Sequence, residues 1–117
     1  MRENSNHARI AEYIRNHPEE TYAVISKKLG IGYSTVARIA ALQKDPESAS
    51  KLFQKTLELQ PEPQVKAWTL VYLGRLAIAS GDREQAKGFF ENALKVEGAS
   101  QGAQQAATQG MAAVSKE

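Results

Sequence analysis

Residues 22–39 read YAVISKKLGIGYSTVARI, and this stretch decides how the first half of the chain folds. Apolar side chains recur in it every three or four residues, which is the spacing of a helix and not of a strand. Gly30 interrupts the pattern, and glycine readily adopts the positive φ that a sharp turn between two helices requires. The sequence therefore predicts one helix on each side of Gly30. The apolar side chains that would hold these helices together are Ile25, Leu29, Ile31, Val36 and Ile39.

Proline and glycine residues divide the rest of the chain into further segments with helical spacing, and none shows the alternation of a strand. The predicted helices cover residues 6–16, 21–29, 32–44, 46–60, 64–80, 82–96 and 99–115. The sequence therefore predicts an all-α fold. The last segment is rich in Ala and Gln, so we expect it to cover an edge as a capping helix.

The stretch from Tyr22 to Ile39 resembles the helix-turn-helix of bacterial transcription regulators and of the resolvase and invertase recombinases. The resemblance depends on Gly30, on the apolar residues at both sides of it, and on the run STVARI at residues 34–39. It implies a three-helix DNA-binding domain over residues 1–45, with residues 6–16 as the supporting first helix.

Two positions depart from the helix-turn-helix pattern. Ser26 stands where alanine is usual, and it is small enough to preserve close helix packing. Gly32 stands where serine or threonine usually caps the second helix, and glycine offers no side-chain acceptor there.

Charge is distributed unevenly along the chain. Residues 1–45 carry seven basic and five acidic side chains, whereas residues 46–117 carry eight of each. Residues 21–44 contain four basic side chains and no acidic one. Such an excess is also found on ordinary solvated faces, but here it coincides with the helix-turn-helix and favours a polyanionic partner.

The N-terminal part of a recognition helix points into the major groove of duplex DNA. Among the implied contacts, Arg38 suits a bidentate bond to guanine, and the three lysines suit phosphate. The residues implied as DNA contacts are Lys27, Lys28, Tyr33, Ser34, Thr35, Arg38 and Lys44.

The second half of the chain contains an internal repeat of 37 residues. The pairs separated by this distance are Ala49 and Ala86, Phe53 and Phe90, and Thr56 and Ala93. A fixed period of this length indicates a repeated helical hairpin. The first helix of the earlier copy would be residues 30–43, so one helix would serve both halves of the chain. The alternative is an α-solenoid whose first hairpins mimic a helix-turn-helix.

Residues 67–100 carry small and apolar side chains on the characteristic positions of a tetratricopeptide repeat (TPR), which they resemble: Leu70, Leu73, Gly74, Ala77, Gly81, Ala86, Phe90 and Ala93. Three residues depart from the usual types, since Leu70 replaces tryptophan, Ala77 replaces tyrosine and Gly98 replaces the terminal proline. The resemblance implies a short TPR-like array over residues 46–117 that binds a protein or peptide along its first helices. The side chains expected on that groove are Trp68, Val71, Arg75 and Ile78. An array this short also suits self-association, which would give a homodimer.

The composition argues against catalysis and against metal binding. The chain has no cysteine and two histidines, which leaves no thiolate site and no histidine-rich metal centre. It shows no phosphate-binding loop and no nucleophile–base arrangement, so we expect neither a catalytic residue, a bound metal, nor a cofactor. It has no apolar run long enough for a membrane span, and we expect a cytoplasmic protein.

Two functions follow as hypotheses. The first is a DNA-binding transcriptional regulator whose repeat half binds a partner or a second copy. The second is a protein-interaction adaptor that does not bind nucleic acid. The change in charge balance near Asp45 also fits a fragment, or a fusion of two unrelated modules.

Overall fold

A computed structural model describes residues 2–43 and 45–115, with side chains from His7 onward. Within these ranges the chain forms seven α-helices and no β-strand, which confirms the all-α class. The helices are α1 (Arg2–Asn16), α2 (Tyr22–Leu29), α3 (Tyr33–Leu42), α4 (Pro46–Glu58), α5 (Pro63–Ala79), α6 (Arg83–Leu94) and α7 (Gln101–Ser115). None of these helices is both long and apolar enough to cross a lipid bilayer.

The 37-residue period describes α4 and α6 closely. The carboxylate of Asp45 accepts a hydrogen bond from the backbone N–H of Ser48 at 3.2 Å, and Asp82 accepts one from Gln85 at 3.0 Å. The two helices therefore begin with the same N-cap. All six positions paired by the period are at most 2% exposed: Ala49, Phe53, Thr56, Ala86, Phe90 and Ala93.

Helix α5 lies at the centre of the fold and contacts α3, α4, α6 and α7. Two apolar clusters meet on it. One contains Tyr72 and Leu73 and joins α5 to α1–α4, and the other contains Leu70 and Val71 and joins α5 to α6 and α7. The apolar core therefore continues across the predicted boundary between residues 45 and 46.

The two predicted hairpins are not packed alike. The contact between α5 and α6 is extensive, whereas the contact between α3 and α4 is small. Helix α3 has 10 residues against 17 in α5, and α2 lies against both α3 and α4. The period therefore reproduces the buried faces of the helices without reproducing the first hairpin.

Phe90 fixes the spacing of α5, α6 and α7. Its ring is completely buried, and it lies against the backbones of Gly74 in α5 and Gly110 in α7. A Cβ atom at Gly74 would lie 2.6 Å from Cε1 of Phe90, and a Cβ atom at Gly110 would overlap the same ring. Two glycines are therefore needed for these three helices to approach so closely.

We expect Gly74→Ala and Gly110→Ala each to lower the free energy of unfolding by about 1–3 kcal/mol, because overpacking displaces Phe90. Gly88→Ala is the matched control, since Gly88 lies within α6 and a Cβ atom there would meet nothing within 4 Å. This control should stabilise the protein by about 0.5–1 kcal/mol through helix propensity. Urea denaturation measures all three, and equal effects at the three glycines would contradict the assignment.

Candidate nucleic-acid interface

A shared apolar core holds α2 and α3 against α1. Ile14 of α1, Ile25 of α2 and both Val36 and Ile39 of α3 are at most 6% exposed and belong to one cluster. Because α3 is held along this inner face, its opposite face points outward.

Hydrogen bonds fix the start of α2 and the turn that connects its end to α3. The hydroxyl of Thr21 accepts a hydrogen bond from the N–H of Val24 at 3.3 Å and so caps the start of α2. Gly30 ends α2 with φ +67°, the left-handed conformation predicted for the turn. The N–H of Ile31 then bonds to the carbonyl of Ser26, and the Ser26 hydroxyl donates to the carbonyl of Ile31. The serine thus closes the turn, a role that its small size alone did not predict.

The structure divides the seven predicted DNA contacts by exposure. Lys27, Lys28 and Arg38 are exposed, while Ser34 and Thr35 are partly buried. Lys44 lies outside the described residues. Helices α2 and α3 contain no Asp or Glu, so no acidic side chain of their own neutralises these cations.

Lys28 is paired with an acid from the loop before α2. Its ammonium group lies 2.9 Å from Oε2 of Glu20, and the hydroxyl of Tyr13 lies 3.3 Å from the other carboxylate oxygen. The hydrogen bond from Lys28 lowers the pKa of Glu20, and the same bond raises the pKa of Lys28. The charge of Lys28 is therefore partly compensated, unlike those of Lys27 and Arg38, which form no ion pair with the described residues.

Tyr33 does not belong to the exposed set, and its predicted role as a DNA contact is corrected. Its side chain is only 7% exposed, and its hydroxyl lies 2.6 Å from Oγ1 of Thr69 in α5. The Thr69 hydroxyl donates to the carbonyl of Val65, so the proton between the two hydroxyls comes from Tyr33. Burial raises the pKa of Tyr33 to about 12. The residue ties α3 to α5 and cannot reach DNA in this arrangement.

The predicted protein-binding residues of α5 also differ in exposure, since one is buried, one is partly buried and two are exposed. Val71 is completely buried in the cluster that includes Ala106 and Ala107, because α7 packs over that side of α5. Its predicted place on an open groove is therefore wrong. Trp68 is partly buried near Tyr72 and Gly102, whereas Arg75 and Ile78 are exposed. The Arg75 guanidinium lies 4.9 Å above the Tyr72 ring.

The described residues bring together no group of three His, Cys, Asp or Glu side chains that could hold a metal ion. His17 instead stacks on Tyr13 with ring centroids 3.8 Å apart, and its Nδ1 lies 2.8 Å from the Tyr13 carbonyl oxygen. These contacts give His17 a structural role, which is to hold the loop after α1 against Tyr13.

We expect Tyr33→Phe to lower the free energy of unfolding by about 0.5–1.5 kcal/mol, because it removes the hydrogen bond to Thr69. Tyr22→Phe is the matched control, since Tyr22 is 2% exposed but its hydroxyl bonds to none of the described residues. Chemical denaturation of both variants tests the difference. A loss confined to Tyr22→Phe would contradict the assignment of the α3–α5 contact.

Comparisons with protein-family models, with curated proteins and with solved structures give no match to this chain. The residues, contacts and charges described above are therefore the grounds for a functional proposal.

Proposed function

We propose that the chain is a DNA-binding protein, a transcriptional regulator that reads the major groove with α3. In this proposal α1–α3 act as a helix-turn-helix domain and α3 is its recognition helix. The observation that carries the proposal is Arg38, exposed on the outer face of α3 in a pair of helices without acidic residues.

The outer side chains of α3 have the chemistry that base reading requires. Arg38 can donate two parallel hydrogen bonds to O6 and N7 of guanine. Ser34 and Thr35, about one turn earlier, can bond to a phosphate or a base edge. Lys27, in the last turn of α2, can contact phosphate, which supplies affinity without sequence information.

The second half of the protein has a separate role in this proposal. Helices α4–α7 form the TPR-like part, which binds a protein partner or a second copy of the chain. A second copy would place two recognition helices on successive major grooves, as twofold DNA-binding proteins do.

Exposed side chains of α5 favour a second candidate function, a protein-interaction adaptor that does not bind nucleic acid. Trp68, Arg75 and Ile78 each retain exposed surface, although α7 covers Val71 between them. An aromatic side chain beside an arginine is common at the centre of protein interfaces. In this second candidate Lys27 and Arg38 are ordinary solvated side chains.

We expect the wild-type protein to bind a random-sequence duplex at low salt, and Arg38→Gln to weaken this binding about tenfold. Fluorescence anisotropy over a series of salt concentrations measures the affinity, which should fall steeply as salt rises. Lys87→Gln is the matched control, because it removes the same charge from an exposed position on α6. No wild-type binding at low salt, or equal losses in both variants, would favour the adaptor.

We expect Glu20→Gln to have the opposite effect and to strengthen DNA binding several-fold at low salt. The substitution removes a negative charge and releases Lys28 from its ion pair. Added salt should reduce the gain, because exposed charges are screened. The same anisotropy assay measures it, with Glu91→Gln on α6 as the matched control. Weaker binding by Glu20→Gln than by wild type would show that Lys28 is not at the interface.

A further inference from the structure

A groove of about 650 Å³ lies between α1, α3 and α4, on the side of α3 away from Arg38. Its apolar wall includes Ile14 of α1, Ala40 of α3 and Leu52 of α4. Sites for small molecules have volumes in this range and combine apolar walls with a few polar groups. No pattern in the sequence indicates this groove, because its lining comes from four helices and two loops.

One tyrosine that lines the groove has a hydroxyl with no hydrogen-bond partner among the described residues. Tyr22 lines the groove and is 2% exposed, and its ring packs edge-on against Phe53 with centroids 4.9 Å apart. Its hydroxyl bonds to none of the described residues. Because Tyr22 belongs to the lining of the groove, this hydroxyl can donate to a bound molecule. Burial raises the pKa of Tyr22, so the proton is present at neutral pH.

The groove has one cationic and one acidic side chain, Arg15 and Asp45, which differ in the partners they already have. Arg15 is exposed and forms no ion pair with the described residues. Asp45 already accepts bonds from the backbone N–H of Ser48 at 3.2 Å and from its hydroxyl at 2.7 Å. The cationic group is thus available, while the carboxylate is occupied in capping α4.

We propose that this groove binds a small amphipathic carboxylic acid. Its carboxylate pairs with Arg15, its apolar body packs on Ile14 and Leu52, and an oxygen atom accepts the hydrogen bond of Tyr22. A charged hydrogen bond from Arg15 and a neutral one from Tyr22 account for both polar groups of the groove that lack a partner among the described residues.

The groove is placed where a bound molecule contacts α3 directly. Ala40 and Gln43 line it, and the Gln43 amide donates to the carbonyl of Ala11 at 3.1 Å, which ties the end of α3 to α1. At about 100° per residue these two positions lie on the side of α3 away from Arg38. A ligand therefore stabilises one position of α3 without covering its outer face. Regulation of DNA binding by the ligand rests on the proposed function, whereas ligand binding itself does not.

The test is a titration of the ¹⁵N-labelled full chain with 3-phenylpropanoate, followed by amide chemical shifts. We expect shifts at groove residues such as Gln43, Ser48 and Ala49, and affinity about tenfold higher than for 3-phenylpropan-1-amine, which has the same body and the opposite charge. Arg15→Gln should weaken binding of the acid about tenfold, and Arg9→Gln, an exposed position on the same helix, should not. Tyr22→Phe should weaken binding about threefold to tenfold for an acid that carries a second oxygen, 3-(4-hydroxyphenyl)propanoate, with unchanged thermal stability.

Several results would overturn the proposal. They are the absence of amide shifts at millimolar 3-phenylpropanoate, shifts confined to residues outside the groove, equal affinity for the amine, and equal effects of Arg15→Gln and Arg9→Gln. Because the titration contains no DNA, a protein that binds the acid but no duplex would refute the DNA-binding proposal alone. A protein that binds duplex but not the acid would refute only the proposal made for the groove.

Discussion

The contact between Phe90 and two glycine backbones sets the distances among the last three helices of the core. With the Phe90 ring in this position, there is no space for a Cβ atom at Gly74 or Gly110. In return, α5 is drawn close to both α6 and α7, and the small buried alanines of α7 pack against it. This is why a helix with little apolar volume, such as α7, can still close the core.

Helix α3 packs against α5 as well as against the helices of the first half of the chain, so both halves share it. On one side Tyr33 and Ala37 are buried toward the rest of the core, and on the other Arg38 faces solvent. The hydrogen bond from Tyr33 to Thr69 connects the two halves of the chain directly. In the function that we propose, a recognition helix held in this way would be stiff, so its outer side chains would be presented to DNA with little loss of entropy on binding.

Local sequence signals predicted the local structure well. The helix spacing and the turn at Gly30 depend on residues close together in the chain, and the structure confirms them. The roles of Tyr33 and Val71 were predicted wrongly, because their burial depends on helices far along the chain. For Tyr33 one signal was present, since the 37-residue period pairs it with Leu70, a core residue. The groove beside Tyr22 had no such signal, because no periodicity describes a space between helices.

The position of α5 also has a consequence for how the chain can be divided. Phe53 of α4 stacks on Tyr72 of α5 with ring centroids 6.0 Å apart, and the hydroxyl of Tyr33 in α3 forms a hydrogen bond with Thr69 of α5. A cut near Asp45 would expose both aromatic residues or their partners to water. The amino-terminal helices would lose the surface against which α3 is packed, and the remaining helices would lose one wall of their central helix. We therefore expect unfolding of either half to disrupt the other, so that the protein loses its structure in one cooperative transition rather than one half at a time.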